Sequence, residues 1–131
     1  MTQAILEHVN ITVSDPLQTA KRLCTLFGWR IRWKGDAIDG GTSVHVGGDD
    51  SYIAVYAKDG QNAARQDSYS TRGGLNHVGV IVDDLEKVEA LVCEAGYEPH
   101  SHADYEPGRR FYFRDSDAIE FEVVSYQPTP T

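Results

Sequence analysis

Apolar and polar positions alternate early in the chain. Val9, Ile11 and Val13 fall on one side of an extended segment, and His8, Asn10 and Thr12 fall on the other. That period of two predicts a strand buried on one face, over about residues 5–14. The period then lengthens. Leu17, Ala20, Leu23, Cys24 and Phe27 recur at helical spacing behind Asp15-Pro16, which supplies an N-cap and a first-turn proline, and Gly28 stops the helix. Three extended runs follow, Trp29–Trp33, Thr42–Gly47 and Tyr52–Ala57, rich in β-branched and aromatic residues and bounded by Gly and Asp.

The same order then repeats. His8-Val-Asn-Ile-Thr-Val-Ser-Asp15 is echoed by His77-Val-Gly-Val-Ile-Val-Asp-Asp84, each position moved on by 69. Behind Asp84, the residues Leu85, Val88, Leu91, Val92 and Ala95 give a second helix that ends at Gly96, and Glu98–Ser101, Arg110–Arg114 and Ile119–Ser125 give three more strands. The expected organisation is therefore two tandem βαβββ units, about residues 5–58 and 75–126. The polar stretch 59–74 reads as a connector, and 127–131 as a loose tail.

Composition narrows the classes of function. At 131 residues, 40% hydrophobic and 24% charged, the chain suits one globular α+β domain. Its net charge of −8 repels phosphate backbones, and no basic stripe offsets it, so no nucleic-acid partner is expected. No run approaches the roughly 18 apolar residues of a membrane span, and the first residues show no basic-then-apolar leader, so a cytoplasmic location is expected. Cys24 and Cys93 fall in separate helical segments and read as reduced thiols.

Strand parity locates the candidate chemistry. If Val9, Ile11 and Val13, and likewise Val78, Val80 and Val82, cover the helices, then His8 and His77 turn to the opposite face. In the last strand Ile119, Phe121 and Val123 take the core side, which leaves Glu120 and Glu122 with the parity of the histidines. Imidazole and carboxylate donors suit one divalent ion among Zn, Mn, Fe, Co and Ni, with open positions for a substrate. The bland alternative is that each histidine packs on its strand. Arg110 and Tyr112 share a parity opposite to Phe111 and Phe113, so Arg110 suits an anionic substrate and Tyr112 a hydrogen-bond donor, the alternative being a surface arginine and a packed tyrosine. His100-x-His102 sits near loop signals and reads as an exposed pair, and the side taken by His45 is left open.

The runs L-x-H-V-x-I-x-V-x-D, L-N-H-V-x-V-x-V-x-D and F-Y-F-R-D-S-D-A-I-E-F-E resemble the vicinal oxygen chelate superfamily of glyoxalases, bleomycin-resistance proteins and extradiol dioxygenases, over about residues 5–126. That resemblance implies mixed sheets that curl around a cleft, a homodimer, and a metal-dependent enzyme whose small substrate chelates the ion through adjacent oxygens. It selects Glu122 over Glu120 as the ligand beside His8 and His77, and it puts Tyr56 where glyoxalase I carries a further carboxylate. Parity and the aromatic residues that could line a cleft make Tyr112, Arg110 and Tyr56 the expected substrate-facing set, with lyase or isomerase, thiol-transfer or dioxygenase chemistry open. The competing expectation is a metal-free protein that sequesters a small molecule, as bleomycin-resistance proteins do.

Overall fold

Both helices begin as their capping residues dictate. In the computed structural model, which describes residues 2–61, 66–105 and 108–128, the Asp15 carboxylate accepts from the Gln18 amide at 3.2 Å, ahead of α1 (Pro16–Phe27). Asp84 accepts from the Lys87 amide at 3.1 Å, ahead of α2 (Leu85–Glu94). Each bond satisfies an amide that the first helical turn leaves without an intrahelical partner. Gly28 then takes the left-handed conformation (φ 71°) and closes α1, its amide donating to the Cys24 carbonyl.

The chain divides into two compact units, Met1–Ala63 and Ala64–Thr131, and each is βαβββ. The first comprises β1 (His8–Thr12), α1, β2 (Arg30–Asp36), β3 (Thr42–Gly47) and β4 (Tyr52–Ala57), with sheet order β1-β4-β3-β2. In the second, β5 (Val78–Ile81), α2, β6 (His100–Tyr105), β7 (Gly108–Arg114) and β8 (Glu120–Ser125) give the order β5-β8-β7-β6. The helix carries the chain to the far edge of the sheet, and two antiparallel returns bring it back. The last strand therefore meets the first in parallel, β1 with β4 and β5 with β8.

One sheet face in each unit is covered by its helix. Ala20, Leu23 and Leu26 of α1 are buried and meet the side of β3 and β4 that carries the buried Val44, Val46, Ile53 and Val55. Leu85, Val88 and Val92 of α2 lie over Phe111, Phe113, Phe121 and Val123, with the Phe113 and Phe121 rings stacked at 5.2 Å. Each buried Val, Leu, Ile or Phe stabilises by about 1.5–3 kcal/mol, which pins the parity of β3, β4, β7 and β8. The opposite faces receive the polar residues.

The expectation of sheets that curl around a cleft is corrected. Each sheet is open, neither curled nor closed, with edges at β1 and β2 in one unit and at β5 and β6 in the other. Four twisted strands fall far short of the roughly eight that closure takes. Several strands also run differently from the sequence expectation: β1 is shorter (His8–Thr12), β2 continues to Asp36, β6 begins at His100 and runs to Tyr105, and β7 starts at Gly108. Within β6 the register is broken by a bulge between His100 and Ala103, with Ser101 at φ 55°. Residues 62–65 of the expected connector and 129–131 of the expected tail lie outside the described residues. Among those described, no helix is long and apolar enough to cross a membrane.

Candidate functional site

The side of the second sheet turned away from α2 gathers ionisable groups, and the ladder dictates which of them meet. Tyr112 is in register with Glu122, Arg114 with Glu120, and Gly79 with Glu122. Glu122 Oε2 accepts from the Tyr112 hydroxyl at 2.6 Å and from Arg110 Nη1 at 3.0 Å. Its other oxygen, Oε1, lies 3.7 Å from His77 Nε2. At Gly79 a Cβ would come only within 3.9 Å of that Oε1, so the approach on this side is open. Arg110 also donates to the Gly108 carbonyl at 3.1 Å.

The charges in this group support one another. Burial pushes the Glu122 carboxyl up, but the hydrogen bonds from Tyr112 and Arg110 outweigh it and hold the group below the usual carboxylate value. The Tyr112 phenol is pushed up to about 12, first by its bond to Glu122 and then by burial. Burial also works against the charge on Arg110, and Glu122 more than offsets it.

A second cluster adjoins the first. Glu120 is buried, and its Oε1 accepts from the Tyr69 hydroxyl at 2.7 Å. Its Oε2 lies 3.1 Å from Arg114 Nη2 and 3.6 Å from His100 Nε2. Tyr69 links the clusters, because its hydroxyl oxygen is also 3.4 Å from His77 Nδ1. A short turn holds it there: Asp67 accepts from the Tyr69 amide at 3.1 Å, and its carbonyl accepts from the Thr71 hydroxyl at 2.6 Å. Burial and the bond to Glu120 both raise the Tyr69 phenol, the bond more strongly.

The two histidines of His100-x-His102 part company at the bulge. His100 stacks on Tyr112 (6.1 Å) on the polar face, whereas His102 stacks on Phe111 (6.0 Å) on the helix side and meets Glu89 at 3.0 Å. A regular strand would have kept both on one face.

In the first unit, the polar face carries an aromatic row. His8 stacks on Tyr52 (4.8 Å) and Tyr52 on His45 (4.5 Å), while Trp33 tilts against His45 (4.8 Å) and Arg32 lies over the Tyr52 ring (4.7 Å). Glu7 accepts from His8 Nδ1 at 2.8 Å. Desolvation, ahead of the charges of His8 and Arg32, lowers the His45 pKa. Tyr56 is buried, and its hydroxyl donates to the Ile38 carbonyl at 2.7 Å.

Four of the six residues expected from sequence thus come together in the second unit: Glu122 is hydrogen-bonded to Arg110 and Tyr112, and His77 approaches it at 3.7 Å. His8 and Tyr56 belong to the first unit, in the settings just described. Sequence reasoning missed Tyr69, which sits in a stretch read as connector, and it gave Glu120 no role beyond that of a weaker ligand candidate. The parity of Glu120 with Glu122 was the signal for it. His45 was equally recoverable, since it alternates with the buried Val44 and Val46.

A catalytic zinc site takes three donors from protein and a structural one four. Among the described residues, no group of three or more His, Cys, Asp or Glu side chains is placed to hold one. Beside Glu122 stand a guanidinium and a phenol hydroxyl that already donate to its carboxylate, and beside His77 stands the Tyr69 hydroxyl, 3.4 Å from Nδ1. Toward an ion this unit therefore offers two donors, His77 Nε2 and Glu122 Oε1, because Arg110 and Tyr112 already occupy Oε2.

A sequence model of the Glyoxalase/Bleomycin resistance protein/Dioxygenase superfamily matches residues 7–113. No curated protein matches the chain. Among solved structures, a glyoxylase/bleomycin resistance protein/dioxygenase domain from Frankia sp. EAN1pec is similar at a TM-score of 0.80 and 23% identity, over 95% of this chain and 98% of that one. The fosfomycin resistance protein FosX from Listeria monocytogenes, complexed with Mn(II) and sulfate, gives 0.69 and 16% over 95% and 93%. A glyoxalase I mutant from Zea mays gives 0.76 and 18%, over 96% of this chain and 46% of that one. At these identities the structural likeness speaks for the fold.

Proposed function

The chain belongs to the glyoxalase/bleomycin resistance protein/dioxygenase superfamily, and we propose that within it this protein binds a small polar molecule at the His77–Glu122 pair without a metal, in the manner of a sequestering protein. The observation that carries this reading is the state of Glu122. Arg110 answers its charge and Tyr112 takes a lone pair of the same oxygen, while Oε1 faces the half-exposed His77 ring. Such a pair suits the hydroxyl, amide or ammonium of a ligand. The aromatic row of His8, Tyr52, His45 and Trp33 in the first unit offers flat apolar surface of the kind that binding sites use. A homodimer is part of the proposal, since the open edge strands of a small fold favour pairing.

The second reading is a divalent-metal-dependent enzyme, with His8, His77 and Glu122 as ligands and Arg110, Tyr112 and Tyr56 toward the substrate. It is favoured by the facing of His77 Nε2 and Glu122 Oε1. Metal analysis separates the two. Protein purified without added metal is expected to carry no stoichiometric Zn, Mn, Fe, Co or Ni, and to give no saturating heat with Mn(II) or Zn(II). One tightly held ion per chain, lost in His77→Ala, would overturn the metal-free reading and establish the second. Saturable binding of a hydroxyl- or amine-bearing compound to metal-free protein, lost in Glu122→Gln, supports the first.

A further inference from the structure

The hydrogen bonds behind His77 assign its proton. Glu120 is buried and lies within 3.1 Å of Arg114, which keeps the carboxylate an acceptor. The Tyr69 hydroxyl has one hydrogen, and the 2.7 Å contact with Glu120 Oε1 takes it. Toward His77, Tyr69 therefore offers only lone pairs. The 3.4 Å approach to Nδ1 is attractive only if the ring nitrogen donates. In a neutral imidazole the other nitrogen, Nε2, is then a bare acceptor, and it points toward Glu122 Oε1, a second acceptor that no donor reaches among the described residues.

We infer that Tyr69, backed by Glu120, is a positioning residue that fixes His77 as its Nδ1–H tautomer, so that His77 Nε2 and Glu122 Oε1 form a paired acceptor. The consequence concerns ligand class and rests on the small-molecule reading above: the site selects a group with two hydrogens to give, a primary ammonium or an amide NH2, over an ether or carbonyl. Such a group satisfies both acceptors at once. A ligand that brings only lone pairs leaves both opposed to its own. The arrangement is the metal-free counterpart of the carboxylate-backed histidine, in which the partner of one ring nitrogen decides what the other offers.

The tautomer can be read directly on the ligand-free protein. Multiple-bond proton–nitrogen spectra of histidine-labelled protein are recorded at about pH 8.5, well above the ordinary imidazole value of about 6.5. The His77 ring is assigned by its loss in His77→Asn. The expected wild-type result is a protonated Nδ1 and a bare Nε2, and Tyr69→Phe is expected to invert that ratio. Tyr69 is 57% exposed, so removing its hydroxyl leaves the core untouched. A wild-type ring protonated at Nε2, or a Tyr69→Phe ring still protonated at Nδ1, overturns the inference, and the wild-type spectrum alone suffices for the first of these. Because no ligand is present, the outcome is independent of the metal analysis and binding measurements that test the proposed function.

Discussion

Tyr112 and Glu122 stand opposite each other on the β7–β8 ladder, and the phenol donates to the carboxylate at 2.6 Å. To ionise, Tyr112 must give up that bond and place a second anion beside the first, which is why its pKa stands at about 12. A folded-state pKa above the unfolded value means that the native protein holds this proton more tightly. The resulting stability is fully present below about pH 10 and is lost as pH rises through about 12. Ultraviolet titration of the wild type minus Tyr112→Phe should reveal one phenol that ionises near that upper value. A difference curve centred near 10 would contradict the bond.

Arg110 is the cation that keeps Glu122 charged in a half-buried setting. Arg110→Met is expected to destabilise the fold by about 2–3 kcal/mol at neutral pH, the usual cost of orphaning a partly buried charge. Because the Glu122 pKa is depressed, the stability it contributes is present above the unfolded carboxylate value of about 4.3 and is lost as pH falls through the lower folded one. Urea denaturation at pH 7 and in acid should show the penalty shrinking. An equal cost at both would place its origin in packing.

Ala118 sits in the turn between β7 and β8 at φ 61°, a left-handed conformation that costs an L-residue roughly 1–2 kcal/mol. Glycine relieves that strain but adds freedom to the unfolded chain. Ala118→Gly should therefore stabilise by a net of about 0.5–1 kcal/mol, seen as a higher thermal midpoint. A lower midpoint would mean that the alanine methyl makes contacts worth more than the strain.

The two helix caps should be worth similar amounts. Asp15→Ala and Asp84→Ala each remove a carboxylate that accepts the third-residue amide of its helix, and each is expected to cost about 1 kcal/mol. Chemical denaturation measures both. Loss of far less than this at either position would show that solvent replaces the cap without penalty.

Much of the architecture was legible because it is encoded locally. A capping aspartate, a proline at the first helical position and a glycine at the exit bound α1 in sequence as they do in space, and β3 and β4 fall on the runs that β-branched and aromatic residues bounded by Gly and Asp mark out. Parity also put Arg110, Tyr112 and Glu122 on one face, because buried phenylalanines and valines between them leave each strand a single orientation. What parity cannot carry is register or loop conformation. The bulge that separates His100 from His102 depends on one backbone angle at Ser101, to which hydrophobic spacing is blind.

The sequence by itself determined the repeat, the βαβββ order and the face on which Arg110, Tyr112 and Glu122 lie, since these follow from periodicity and short-range capping. Tertiary structure decided which groups touch. It gave Glu122 to Arg110 and Tyr112, brought Tyr69 from an apparently featureless stretch onto His77 and Glu120, and left each sheet open where family resemblance implied a curl. The reason is distance along the chain: Tyr69 and Glu120 are 51 residues apart, and a hydrogen bond between them exists only once the sheet has set both side chains in place.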